Sequence, residues 1–261
     1  MFITVKDWLK YSYNRIFLCV LFLLMILNVL ASLSENSMLI QITRPLFIPI
    51  FVMFYYIKNR YVHYLFIVFF VLSFIGDFSS LFLNKNTLIK FSGLMHFLSY
   101  LALTIYIASK IKRIRFDKVV AAYLLIVISI NSYFLYELFV VVKTQIIDTT
   151  EVNLFVAKSI SLLVLAFVSF IVYLSSDTKQ AILFLFTTLS FVFSDILHYI
   201  SNYYIYNWSF VMLNHTLHLV GLFFLFNFVI GENRLRKRDP VSNKLTSEFI
   251  PSKTTYSLTR Q

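Results

Sequence analysis

The sequence predicts an all-α, polytopic transmembrane helical bundle of about eight spans, and three observations carry that prediction. The chain of 261 residues is 59% hydrophobic and only 13% charged, whereas a soluble domain carries about 25% charged residues. The apolar residues fall in runs of about 20, the length that crosses a roughly 30 Å hydrocarbon core as a helix. The runs lack the strict alternation over about 10 residues that marks a barrel strand.

Spans are expected at 16–34, 38–57, 62–83, 91–109, 119–142, 153–174, 181–203 and 209–231. The first follows Lys6, Lys10 and Arg15 and has the look of a signal peptide with a cleavage site after Ala31. Its length, and the span that follows at once, favour a retained helix. The second opens at Arg44 and Pro45, the third carries Asp77, and the fourth carries His96 and ends at the basic stretch Lys110 to Lys118. Glu137 lies late in the fifth span and Lys158 early in the sixth; Asp195 and His198 lie in the seventh, and Asn214, His215 and His218 in the eighth. The expected organisation is a membrane domain over 1–232 and a basic, disordered cytoplasmic tail over 233–261.

Most of the 23 Lys and Arg fall in the N-terminal segment, alternate loops and the tail, the exceptions being Arg44, Lys85, Lys90, Lys143 and Lys158. By the positive-inside rule both termini are cytoplasmic, and the expected location is a bacterial inner membrane. The net charge of +11 belongs to these flanking segments near anionic headgroups, so no nucleic-acid partner is expected. Cys19 is the only cysteine, which excludes a disulfide framework and a thiolate metal site. With four glycines, close packing through small residues is limited, and Phe and Tyr must fill the interior.

A carboxylate in hydrocarbon costs several kcal/mol, so Asp77 and Asp195 are the leading functional candidates. Leu72-Ser73-Phe74 precedes the first and Leu189-Ser190-Phe191 the second, a faint repeat compatible with two four-helix units. In the deduced orientation both lie near the outer ends of their spans. Arg44, His96, Glu137, His198, Asn214, His215 and His218 fall in the same outer half, as supporting or substrate-binding residues of one cavity. Arg44, Lys90 and Glu137 also have a plainer reading, because long side chains near span ends reach water by themselves. His96 alone reads as a hydrogen-bonded interfacial residue.

Thr43-Arg44-Pro45, Gly76-Asp77 with Leu81, Phe91-Ser92-Gly93-Leu94 with Phe97, and Phe193-Ser194-Asp195-Ile196-Leu197 follow one another in order over roughly 40–230. This ordered set resembles the YhhN family, which includes the lysoplasmalogenases, integral membrane hydrolases of about eight helices. The chain departs from the pattern at Leu101, near a family histidine, and at Asn214, His215 and His218, where the family tends to carry Tyr and Gln. The resemblance implies cleavage of the vinyl ether bond of a lysolipid without a cofactor, with Asp77 and Asp195 as the acid–base pair. Protonating the vinyl β-carbon creates an oxocarbenium ion, to which water adds. Two neighbouring carboxyls, one protonated and one ionised, suit that chemistry, as they do the related cation in glycosidases.

Two other classes fit the same residues. Asp195, His198, His215 and His218 have helical spacings that suit a metal-dependent lipid hydrolase. A proton- or cation-coupled transporter would also place carboxylates within its spans. The sequence leaves the oligomeric state open.

Overall fold

The computed structural model describes residues 12–34, 37–58, 63–81, 86–111, 118–146, 148–176 and 178–248. The extreme N-terminus, the basic loops at 59–62 and 112–117 and the chain beyond Glu248 lie outside them, and with them much of the charge behind the predicted orientation.

Among the described residues the chain is all-helical. The elements are α1 (Ser12–Leu33), α2 (Ser37–Lys58), α3 (Tyr64–Ser80), α4 (Asn86–Ala108), α5 (Lys118–Gln145), α6 (Thr149–Ser176), α7 (Lys179–Tyr199) with a π turn at Ile200–Tyr204, and α8 (Trp208–Glu248). Six of them, α1 and α4 to α8, are long and apolar enough to cross a membrane. The apolar stretches of α2 and α3 are shorter, at Ile42–Ile57 and Tyr64–Ser80. Helix α8 runs on past the apolar span to Glu248, so the first part of the expected tail is helical. Adding a residue to an existing helix costs far less than nucleating one.

Helix starts are fixed by local chemistry. The His63 ring accepts from the Leu65 N–H at the head of α3. Thr178 Oγ1 accepts from the Ala181 N–H, 3.2 Å away, at the head of α7. Asp148 Oδ1 accepts from the Thr150 N–H at 2.9 Å as α6 begins. Each satisfies a donor that the first turn leaves without an intrahelical partner.

Short connections set the helices antiparallel. Helix α8 packs along α7 and also touches α1 and α2, while α4 bridges α3 and α6. Phenylalanine fills the interior, as expected from the composition: Phe17, Phe47, Phe51, Phe66, Phe69, Phe184, Phe191, Phe226 and Phe228 are all buried. Phe17 stacks on Phe226 at 4.5 Å and meets Phe51 edge-on at 5.5 Å, the offset and edge geometries that aromatic quadrupoles favour. Where a ring must come close to backbone, glycine makes room. A Cβ on Gly221 would lie 2.6 Å from Phe191 Cε1.

Helix α5 stands apart, with only 6% of its apolar window buried. It meets α6 and the π turn through a small cluster of Val142, Phe155 and Tyr199.

Candidate functional site

The helix ends that carry the intramembrane polar residues lie together. Arg44 is early in α2, Asp77 in the last turn of α3, His96 midway along α4, Lys158 in the first half of α6, Asp195 near the end of α7, and Asn214 and His215 early in α8. These ends surround a cavity of about 400 Å³. Arg44, Asp77, Lys90, His96, Lys158, His198, Asn214 and His215 line it, together with Ser201, Asn202 and Tyr203 of the π turn. A π turn widens the helix locally, and here it delivers consecutive polar side chains to the cavity wall.

Asp77 is 1% exposed. Its Oδ1 lies 2.9 Å from Arg44 Nε and 3.3 Å from His96 Nε2. The approach of Arg44 is a charge pair rather than an aligned hydrogen bond, because Arg44 Nε and both Asp77 oxygens lack an aligned donor–acceptor partner. His96 Nδ1 is also buried and unpartnered. Three strong polar groups therefore meet with hydrogen-bonding capacity left over, an uncommon condition for buried atoms.

Glycine sets this geometry. A Cβ on Gly76 would stand 2.9 Å from His96 Nε2, so the imidazole lies against α3 only because residue 76 has no side chain. Ser92 Oγ donates to the Gly76 carbonyl at 2.7 Å and fixes α4 in register against α3.

Asp195, 5% exposed, has a different cation. Lys158 Nζ lies 2.5 Å from its Oδ1 and 3.4 Å from the Tyr199 hydroxyl. The expected pair of carboxyls sharing one proton is thus divided into two ion pairs, Arg44–Asp77 and Lys158–Asp195. Asp195 does not line the cavity; Lys158 does. The two pairs are built alike, with the cation on α2 or α6 and the carboxylate near the end of α3 or α7. The next helix brings a polar side chain to the first pair itself and to the residue beside the second carboxylate. His96 of α4 meets Asp77, and Asn214 of α8 accepts from Ser194 Oγ, beside Asp195, at 2.7 Å.

His215 is oriented by α1. Its Nδ1 lies 3.1 Å from Asn28 Oδ1, while Asn28 Nδ2 donates to Thr216 Oγ1 at 3.1 Å and to the Met212 carbonyl at 3.2 Å. Since Asn28 Oδ1 only accepts, Nδ1 carries the proton, and neutral His215 has Nε2 as its acceptor. His198 lines the cavity and accepts from Asn202 Nδ2 at 3.2 Å. At the cavity edge Lys90 pairs with Asp148. Hydrogen bonds from Lys90, then from the Thr150 N–H, hold the Asp148 carboxyl below its ordinary range. The tie is intact at neutral pH and is lost as the pH falls through that lowered value.

Two predicted residues lie elsewhere. Glu137 is exposed on α5 beside Tyr133, because α5 turns only a narrow face to the bundle. His218 packs against the Phe191 ring at 5.2 Å and is absent from the cavity lining. The metal alternative is corrected as well. Asp195 is committed to Lys158, His215 Nδ1 to Asn28 and His198 Nε2 to Asn202, and no group of three or more His, Cys, Asp or Glu among the described residues is placed to hold a metal ion. Sequence reasoning missed Asn28 and the pairing role of Lys158. Lys158 carried a usable signal, a lone lysine within an apolar run.

Comparison with family models, curated proteins and solved structures returns no match.

Proposed function

We propose that this protein is an integral membrane hydrolase of the YhhN type, cleaving the vinyl ether bond of a lysoplasmalogen-type lysolipid. The observation that carries the reading is the Arg44–Asp77–His96 cluster, buried in the wall of a polar cavity with spare donors and acceptors. All eight helices cross the bilayer in this reading, both termini face the cytoplasm, and the cavity opens on the opposite side. The matching ion pairs on α2–α3 and α6–α7 support two four-helix units of common origin.

The roles follow from the hydrogen-bonding ledger. His96, as imidazolium beside Asp77, gives its Nδ1 proton to the vinyl β-carbon. Asp77 stays ionised, stabilised by Arg44, and faces the oxocarbenium ion that forms. Preorganised charge of this kind is worth far more in a dry site than in water. His215 Nε2 takes a proton from water as its oxygen adds to the cationic carbon. The hemiacetal then collapses: the His215 proton goes to the departing glycerol oxygen, and the hemiacetal hydroxyl proton returns to His96. The products are a fatty aldehyde and a glycerophospho-headgroup alcohol, with water consumed. Asp195 holds Lys158 at the cavity wall, where its charge and that of Arg44 suit a phosphate.

Assay of aldehyde release by purified protein tests the reading. His96→Gln should lower the rate by about 10²–10⁴-fold, the range for a lost acid–base group, and Asp77→Asn by about 10²–10³-fold, the range for lost electrostatic stabilisation. Full activity in both variants would refute these roles.

A further inference from the structure

We propose that the groove between α2 and α3 seats the single hydrocarbon chain of the ligand whose anionic headgroup lies at Arg44. The groove encloses about 280 Å³ and is lined by apolar side chains, apart from the hydroxyl tips of Tyr55 and Tyr56. Ile48 and Phe70 form a buried floor, while Pro49 and Val71 are among its exposed rims. It is therefore reached sideways, from the position that the bilayer's own chains occupy.

Its placement selects the ligand. Ile48 is one helical turn after Arg44 on α2, and Phe74 is one turn before Asp77 on α3. The groove thus runs along the same two helices that the Arg44–Asp77 pair joins, and it begins one turn away from that pair. From residue 48 to residue 56 it extends roughly 12 Å at 1.5 Å per residue. Arg44 spends one nitrogen on Asp77 and lines the cavity. Its remaining N–H groups form the fork that recognises phosphate or carboxylate oxygens. An apolar groove whose end lies one helical turn from a guanidinium matches an amphiphile with one chain and an anionic head. This seat rests on a lipid as the ligand, as in the reading above, but not on that lipid being hydrolysed.

The test uses the full chain in phosphatidylcholine vesicles with a lysophosphatidylglycerol carrying a diazirine in its chain. Adducts are mapped by mass spectrometry in the Asp77→Asn protein, so that turnover plays no part. The proposal predicts adducts concentrated on the α2 and α3 groove residues and suppressed by excess unmodified lysolipid. Val52→Trp and Val71→Trp fill the groove from its two walls and should each lower that labelling about tenfold or more. Both variants should keep the wild-type profile in size-exclusion chromatography, and labelling of α5 should not change. Adducts spread evenly over lipid-facing helices, or groove labelling unchanged in both variants, would overturn the seat. Loss of hydrolysis with groove labelling intact would count against the reaction alone, and hydrolysis without groove labelling against the seat alone.

Discussion

Lys158 and Asp195 show why a buried charge is read through its partner. They are 6% and 5% exposed, and each would be costly alone. Lys158→Met should lower stability by about 3–5 kcal/mol, because it leaves a buried carboxylate unpaired. Lys158→Met combined with Asp195→Leu should recover most of that loss, which unfolding in detergent by denaturant will measure. A double variant no more stable than the single would mean that Asp195 has another partner. Gly76→Ala probes the second pair. The added methyl must displace the His96 ring, so aldehyde release should fall at least tenfold while the fold persists. A rate equal to wild type would remove His96 from the reaction. The charged candidates were legible because apolar sequence makes a carboxylate conspicuous. Their pairing was not, because Arg44 with Asp77 and Lys158 with Asp195 meet across different helices and no local pattern records which helices adjoin. Depth along a helix could be read from the sequence, but rotation about its axis could not where apolar residues surround it. Glu137 was misplaced for that reason.

Among the elements, α8 holds the site together through α1 and α7. Asn28 is its tie to α1, using both its amide groups. Asn28→Ala should cost about 1–3 kcal/mol for the buried groups left unsatisfied and should also free the His215 ring. Thermal unfolding of the detergent-solubilised protein will register the loss, and an unchanged midpoint would show that α1 is held by its apolar face alone. The helices themselves were legible from run length, within a few residues, though among the described residues only six of the eight are long and apolar enough to cross a membrane. The extension of α8 to Glu248 was not, because its later residues lack the apolar pattern that announces a span. The π turn after α7 was likewise invisible, since it differs from an α-helix in hydrogen-bond register rather than in composition.

Among the described residues the molecule is an all-helical bundle, with the polar cavity toward one end and a phenylalanine interior beside it. The proposed topology requires eight crossings with both termini on one side. Cysteines introduced singly at Ser34 and Asn207, in the Cys19→Ser chain, should react with an impermeant maleimide from outside the cell. Labelling at only one of the two would refute the even count. The central claim is that the cavity protonates a vinyl ether carbon, and the most direct measurement is made in heavy water. The protein should release fatty aldehyde from an alkenyl lysolipid but not from the matching saturated ether. That aldehyde, trapped as it forms, should carry one deuterium at the carbon next to its carbonyl. Aldehyde without that deuterium, or equal cleavage of the saturated ether, would contradict the mechanism, and no aldehyde at all from the wild-type protein would contradict the function.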